Sequence, residues 1–148
     1  MDVSPLYYAH SGLRYLVLFA GVAALVVLAA GLLRHAPYGR GARAAGTAFV
    51  VALHLQVLLG VGLILGGIWY PALAGHLVLM LGAAVAAPLG TVRAKRAADP
   101  RGAYVRALAG VGVALLLVLG GIMAIGRGVL ESRTPTLSAA NASAPLSG

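Results

Sequence analysis

The chain alternates between long apolar stretches and short polar breaks. Four stretches each approach the roughly 20 apolar residues that a transmembrane helix requires. The first runs from about Ala9 to Leu33 and holds one charge, Arg14. The second runs from about Ala44 to Ile68, between Arg43 and the Trp69-Tyr70-Pro71 break. The third covers about Ala72 to Val92, with Pro88 near its end, where a kink or fraying is expected. The fourth covers about Ala103 to Ile125. Short connections make consecutive spans antiparallel. The prediction is an all-α, integral membrane, up-down four-helix bundle over residues 1–130. Small residues are spaced for close helix approach: Gly62 and Gly66, Ala83 and Ala87, Gly110 and Gly112, and Gly120-Gly121. The Ser/Ala/Pro-rich tail, residues 131–148, is expected to be disordered. Met1–Pro5 lacks a basic region and a cleavage site, so no cleaved signal peptide is expected.

Composition narrows the class. Of 148 residues, 61% are hydrophobic and 9% charged. A soluble domain carries about 25% charged residues, so this chain cannot cover a water-facing surface. The net charge of +8 raises the question of nucleic acid, but a soluble basic domain is not built from Leu, Val, Ala and Gly. The distribution of charge answers it better. Eight of the eleven basic residues lie in two loops or at their edges: Arg34, Arg40 and Arg43 at the first, and Arg93, Lys95, Arg96, Arg101 and Arg106, the last in the opening turn of the fourth span, at the third. The positive-inside rule places both loops in the cytoplasm and both termini outside. Tyr7, Tyr8, Trp69 and Tyr70 then fall at the outer interface, Tyr38 and Tyr104 at the inner one. The membrane lipid, anionic at the inner face, is the expected partner of the basic loops. There is no cysteine, which excludes disulfides, thiolate metal sites and iron–sulfur clusters.

So few polar groups lie within the spans that each can be weighed: His10, Arg14, His54, Gln56 and His76. His35 sits in a basic loop and reads as solvated. Spans one and three run in the same direction. At 1.5 Å per residue, His10 and His76 both lie roughly 5–10 Å inside the outer boundary. In an up-down bundle those spans are diagonal. Two imidazoles at one depth on diagonal helices suit the two axial positions of one heme iron. The bland alternative is two interfacial histidines bonded to backbone or lipid. Arg14 is one turn from His10 and shares its face. It either snorkels or meets a heme propionate. His54 is placed about 20 Å from the outer surface, with no second histidine at its level. It reads mainly as a hydrogen bond to a neighbouring helix, with a proton or quinone role as the other option. Gln56 is about 200° around the helix from His54, so both cannot face the bundle centre. Its default role is interhelical bonding.

The stretch from His54 to Met80, HLQVLLGVGLILGGIWYPALAGHLVLM, resembles a helix pair of the heme A synthase family. In that family a Gln precedes a Leu/Gly-rich span and a short outer loop, and a heme-ligating histidine opens the next helix. Gln56, Gly60 and His76 fit this pattern. The stretch YYAHSGLRYLVL, residues 7–18, resembles the preceding helix with its own histidine. The resemblance covers roughly residues 7–92 and implies His10 and His76 as the axial pair. The chain is also similar to small four-span bacterial proteins of cytochrome b-like type, which share His10-Ser11-Gly12-Leu13-Arg14 and His54-Leu55-Gln56. Heme A synthases have two four-helix halves, and their catalytic half carries a glutamate where this chain has Tyr7. The outer-loop cysteine pair of some members is also missing. These departures argue against heme A synthesis.

The expectation is one bis-histidine heme b near the extracytoplasmic face, held by His10, His76 and Arg14 in a bacterial plasma membrane. With both axial positions filled, electron transfer is favoured over conversion of a substrate. A quinone or an extracytoplasmic redox protein would be the partner, and a homodimer or a larger respiratory complex the setting. No nucleic acid is expected. Two other readings stay open: a cofactor-free accessory or assembly subunit of a respiratory complex, and a quinone- or proton-handling enzyme centred on His54.

Overall fold

The computed structural model describes residues 3–126 and folds them into four helices. They are α1 (Ser4–Leu33), α2 (Arg40–Leu65), α3 (Ala72–Lys95) and α4 (Pro100–Ala124). Each is long and apolar enough to cross a membrane. Among the described residues there is no strand. The chain is an all-α four-helix bundle of the multi-pass membrane kind. The tail from residue 131, expected to be disordered, lies outside the described residues.

The helices mostly outrun the apolar stretches. α1 starts at Ser4, with Pro5 in its first turn, where a missing N–H costs nothing. α4 starts at Pro100 behind Asp99, whose carboxylate accepts the Gly102 N–H at 2.7 Å. Hydropathy marks where lipid begins; helical hydrogen bonding runs on until a turn or cap stops it. α2 is the exception and stops early, at Leu65. There Gly67 takes φ 93°, and Gly67 and Ile68 return their N–H groups to Ile64 and Leu63. That is the paired closure of a left-handed helix end. Nor does Pro88 end α3. The helix continues unbroken to Lys95, and the Thr91 hydroxyl donates to the Pro88 carbonyl at 3.0 Å.

α1 packs on α2 and α4, and α3 packs on the same two, while the backbones of α1 and α3 stay apart. They are the diagonal pair. α3 and α4 make the most intimate contact. Ala83, Ala87, Gly90 and Ala94 on one, and Ala103, Ala107, Gly110 and Ala114 on the other, are all buried. Both sets recur at steps of four, three and four residues, the spacing of one helix face. With so little side chain between them, the backbones meet. A Cβ added to Gly90 would lie 2.5 Å from the Gly110 Cα. Near the basic loops the bundle is closed by Tyr104, whose hydroxyl donates to the Pro37 carbonyl at 3.1 Å. Its ring stands edge-on to Tyr38 at 5.1 Å.

Candidate functional site

At the opposite end, near Trp69 and Tyr70, the helices do not close. A cavity of about 140 Å³ is lined by all four of them. Its polar wall comprises Tyr7, His10, Ser11, Arg14, Gln56, Tyr70 and His76. The rest is aliphatic, with Val17, Leu53, Met80, Val118 and Ile122 among the lining residues.

His10 comes from α1 and His76 from α3, so the two imidazoles enter from diagonal helices. Each ring is seated on a glycine of an adjacent helix. A Cβ at Gly60 of α2 would lie 3.1 Å from the His10 Cε1, and one at Gly121 of α4 would lie 3.3 Å from the His76 Nδ1. Each ring is also tied by Nδ1 to main chain. The His10 Nδ1 lies 3.1 Å from the Gln56 carbonyl, and the His76 Nδ1 lies 2.8 Å from the Gly121 carbonyl. A carbonyl only accepts, so both Nδ1 atoms carry the proton and donate it. Each Nε2 is then left with its in-plane lone pair. A histidine that ligates a metal usually gives its other N–H to a carbonyl or carboxylate, which fixes tautomer and ring angle.

Gln56 is 93% buried, being 7% exposed. Its amide nitrogen donates to the His10 carbonyl at 2.9 Å and lies 3.3 Å from the His10 Nε2. The expected interhelical bond is therefore present, and its partner is the α1 histidine. The amide oxygen of Gln56 is buried without a hydrogen-bond partner among the described residues.

Arg14 is also buried, at 8% exposure, one turn further along α1 than His10. It does not snorkel to the surface. Its guanidinium donates to the Tyr15 hydroxyl at 2.7 Å and lies 4.7 Å from the centre of that ring.

His54 requires a correction. It is exposed on the outside of the bundle, and its Nδ1 donates to Val50 of its own helix at 2.8 Å. Among the described residues it makes no bond to a neighbouring helix. The depth argument that set it apart also fails. Gln56 meets His10 directly, and His54 is two residues, or about 3 Å, along the axis from Gln56. α1 begins before its apolar stretch and α2 ends before its own, which brings the two levels together. The direction of the His54 side chain, not its depth, keeps it out of the cavity. His35, read as a loop residue, terminates α1 at φ 53°, with Ala36 N–H returning to Gly31 at 3.0 Å.

Several lining residues carry no signal of their own in the sequence. Met80 is unremarkable where it stands, and Tyr7 and Tyr70 read as interface aromatics, not as cavity lining. Gly121 reads as a packing residue, yet its carbonyl orients His76. The one available hint was the four-residue step from Gln56 to Gly60, which puts a polar group and a gap on one face of α2. Among the described residues no three His, Cys, Asp or Glu side chains converge as a metal cluster. A two-ligand axial site is of a different kind and needs only two. No family model, curated protein or solved structure matches the chain.

Proposed function

We propose that this chain is an electron-transfer protein that holds one heme b in the open end of its bundle. The observation that carries the reading is the matched pair of histidines. Two imidazoles from diagonal helices line one cavity, each with a glycine seat and each with Nδ1–H given to a carbonyl. His10 and His76 would be the axial ligands through Nε2. Arg14, buried in the same wall, would meet a propionate. Bound heme supplies a one-electron iron couple. The chain fixes the ring planes, excludes water with its aliphatic lining, and keeps a cation in the low-dielectric interior. On this reading the membrane is a bacterial plasma membrane, and the positive-inside rule supports an extracytoplasmic position for this end of the bundle. A quinone or an extracytoplasmic redox protein would exchange electrons there.

The test is an absorbance spectrum of detergent-purified protein, oxidised and dithionite-reduced, after expression with adequate heme. A Soret band with a sharp reduced α-band is expected. A spectrum without a Soret band ends the reading. A second reading has one observation in its favour: Gln56 already bonds His10 on both its ring and its main chain. On that account the polar wall only fixes helix packing, and the protein is a cofactor-free subunit of a respiratory complex. The same spectrum separates the two.

A further inference from the structure

We infer that the two histidines are unequal ligands, and that His10, not His76, gives way to an added small neutral ligand on the iron. The inference rests on the heme reading above and extends it from electron transfer to ligand binding.

A neutral imidazole with its proton on Nδ1 has one in-plane lone pair, on Nε2. It binds iron or accepts a hydrogen bond, not both. The His76 lone pair has no hydrogen-bond partner among the described residues, and the ring's Nδ1–H bond to Gly121 is short, at 2.8 Å. Such a bond raises the basicity of a ligating ring. His10 differs in both respects. Its Nδ1–H bond to Gln56 is longer, at 3.1 Å. Its Nε2 faces the amide nitrogen of the same Gln56 at 3.3 Å, and that amide is anchored on the His10 carbonyl at 2.9 Å. Iron must therefore displace a donor to bind His10.

The converse matters more. When His10 leaves iron, a seat is already built for it, with both ring nitrogens bonded and Gly60 beneath the ring. His76 has its Nδ1 bond and Gly121, but among the described residues no donor waits for its Nε2. Release is thus cheaper on the α1 side, and the position it vacates borders Gln56. The exchange would be a substitution without redox change: the His10 Nε2 would give up the iron, and the incoming ligand would take the place it leaves. The ligand class is a small neutral diatomic that binds ferrous iron.

Carbon monoxide is the probe, added to the reduced, purified full chain and followed by absorbance. The wild type is expected to form a CO adduct. His10→Ala is expected to retain heme and bind CO at least about ten-fold tighter, whereas His76→Ala loses heme affinity by about ten- to a hundred-fold. Gln56→Leu removes the amide that faces the His10 Nε2 while keeping the main-chain carbonyl, Gly60 and both histidines, so His10 stays on iron and CO affinity falls about ten-fold. This variant and the wild type keep the test valid should a histidine variant fail to fold. A heme-loaded wild type inert to CO overturns the inference while leaving the heme reading intact. So does greater heme loss in His10→Ala than in His76→Ala, or a Gln56→Leu protein that binds CO as well as the wild type. Absence of a Soret band in the wild type overturns both.

Discussion

The two halves of the bundle use glycine for opposite ends. Near the basic loops, Gly90 and Gly110 let two backbones touch, and α3 and α4 close on each other. At the other end, Gly60 faces the His10 imidazole and Gly121 faces α3 side chains, Met80 first and then His76, and the helices stay apart around a cavity. In a membrane, lipid is as apolar as the core, so helices associate by close packing and polar bonds more than by hydrophobic burial. The closed half uses the first device and the open half the second. A half held by polar bonds can contain a site; a half held by backbone contact cannot.

The largest effect should come from filling the closed half. Gly110→Leu sets a side chain against the Gly90 Cα and the Ala86 carbonyl, both backbone atoms that cannot swing away. Overpacking commonly costs about 1–3 kcal/mol, and the rigid partner puts this case at the upper end. A fall of roughly 10 °C in the thermal midpoint in detergent is expected. Gly112→Leu is the control two residues on. Nothing lies within 4 Å of a Cβ there, and its midpoint should hold. Equal loss in both variants would mean that the α3–α4 contact is not what closes this half.

Gly60→Leu should separate site from fold. The nearest atoms belong to the His10 ring, the Cε1 at 3.1 Å, and a side chain can move where a backbone cannot. The expected cost is about 1 kcal/mol, or a few degrees in midpoint. The ring loses its seat, however, and the proposed heme spectrum should be lost or reduced about ten-fold in occupancy. A variant with full heme and a normal midpoint would show that His10 does not need the α2 surface.

The closed half was largely readable from the chain. Ala83 and Ala87 signal a small-residue face, and apolar length alone predicts four spans. The open half was readable only in part. His10 and His76 were paired by counting residues from the presumed membrane boundary, and they do line one cavity. The same counting misplaced His54, because it took the edge of an apolar run for the end of a helix. Ser4 and Leu65, the actual ends, are set by a proline and a left-handed glycine, which hydropathy does not register. The Gln56 grip on His10 was beyond reach for another reason. Which of two polar residues on one helix faces inward depends on helix rotation, and four nearly all-apolar helices carry little periodic signal to fix it.

A smaller effect belongs to the loop that caps the closed half. Burial raises the Tyr38 phenol above its ordinary 10.0. The nearby Arg43 charge opposes the rise, and Tyr104 adds to it. A folded pKa above the unfolded one means that the folded chain holds the proton longer. The contribution is intact below about pH 10 and is lost as pH rises through the folded value. From about pH 9 to about pH 11 the midpoint of the wild type should fall, and that of Tyr38→Phe should fall less. Parallel slopes would assign the alkaline loss to other groups. The heme band, at the far end of the bundle, should be insensitive to this substitution.

The smallest effect is expected at His54, and it probes the boundary of the comparison. This histidine lies about 3 Å along α2 from Gln56, yet it points outward, and among the described residues it bonds only the Val50 carbonyl of its own helix. That carbonyl is already an intrahelical acceptor, so removing the imidazole orphans nothing. His54→Leu should shift the midpoint by no more than about 0.5 kcal/mol, the range of a surface change away from any special feature. Heme occupancy and CO uptake should match the wild type. Gln56→Leu, two residues away, should change CO uptake markedly, so the pair tests whether side-chain direction or depth decides membership of the site. If His54→Leu lost the reduced α-band, the open half would extend through the outer surface of α2, and its polar bonds would have to be sought beyond the four helices of one chain.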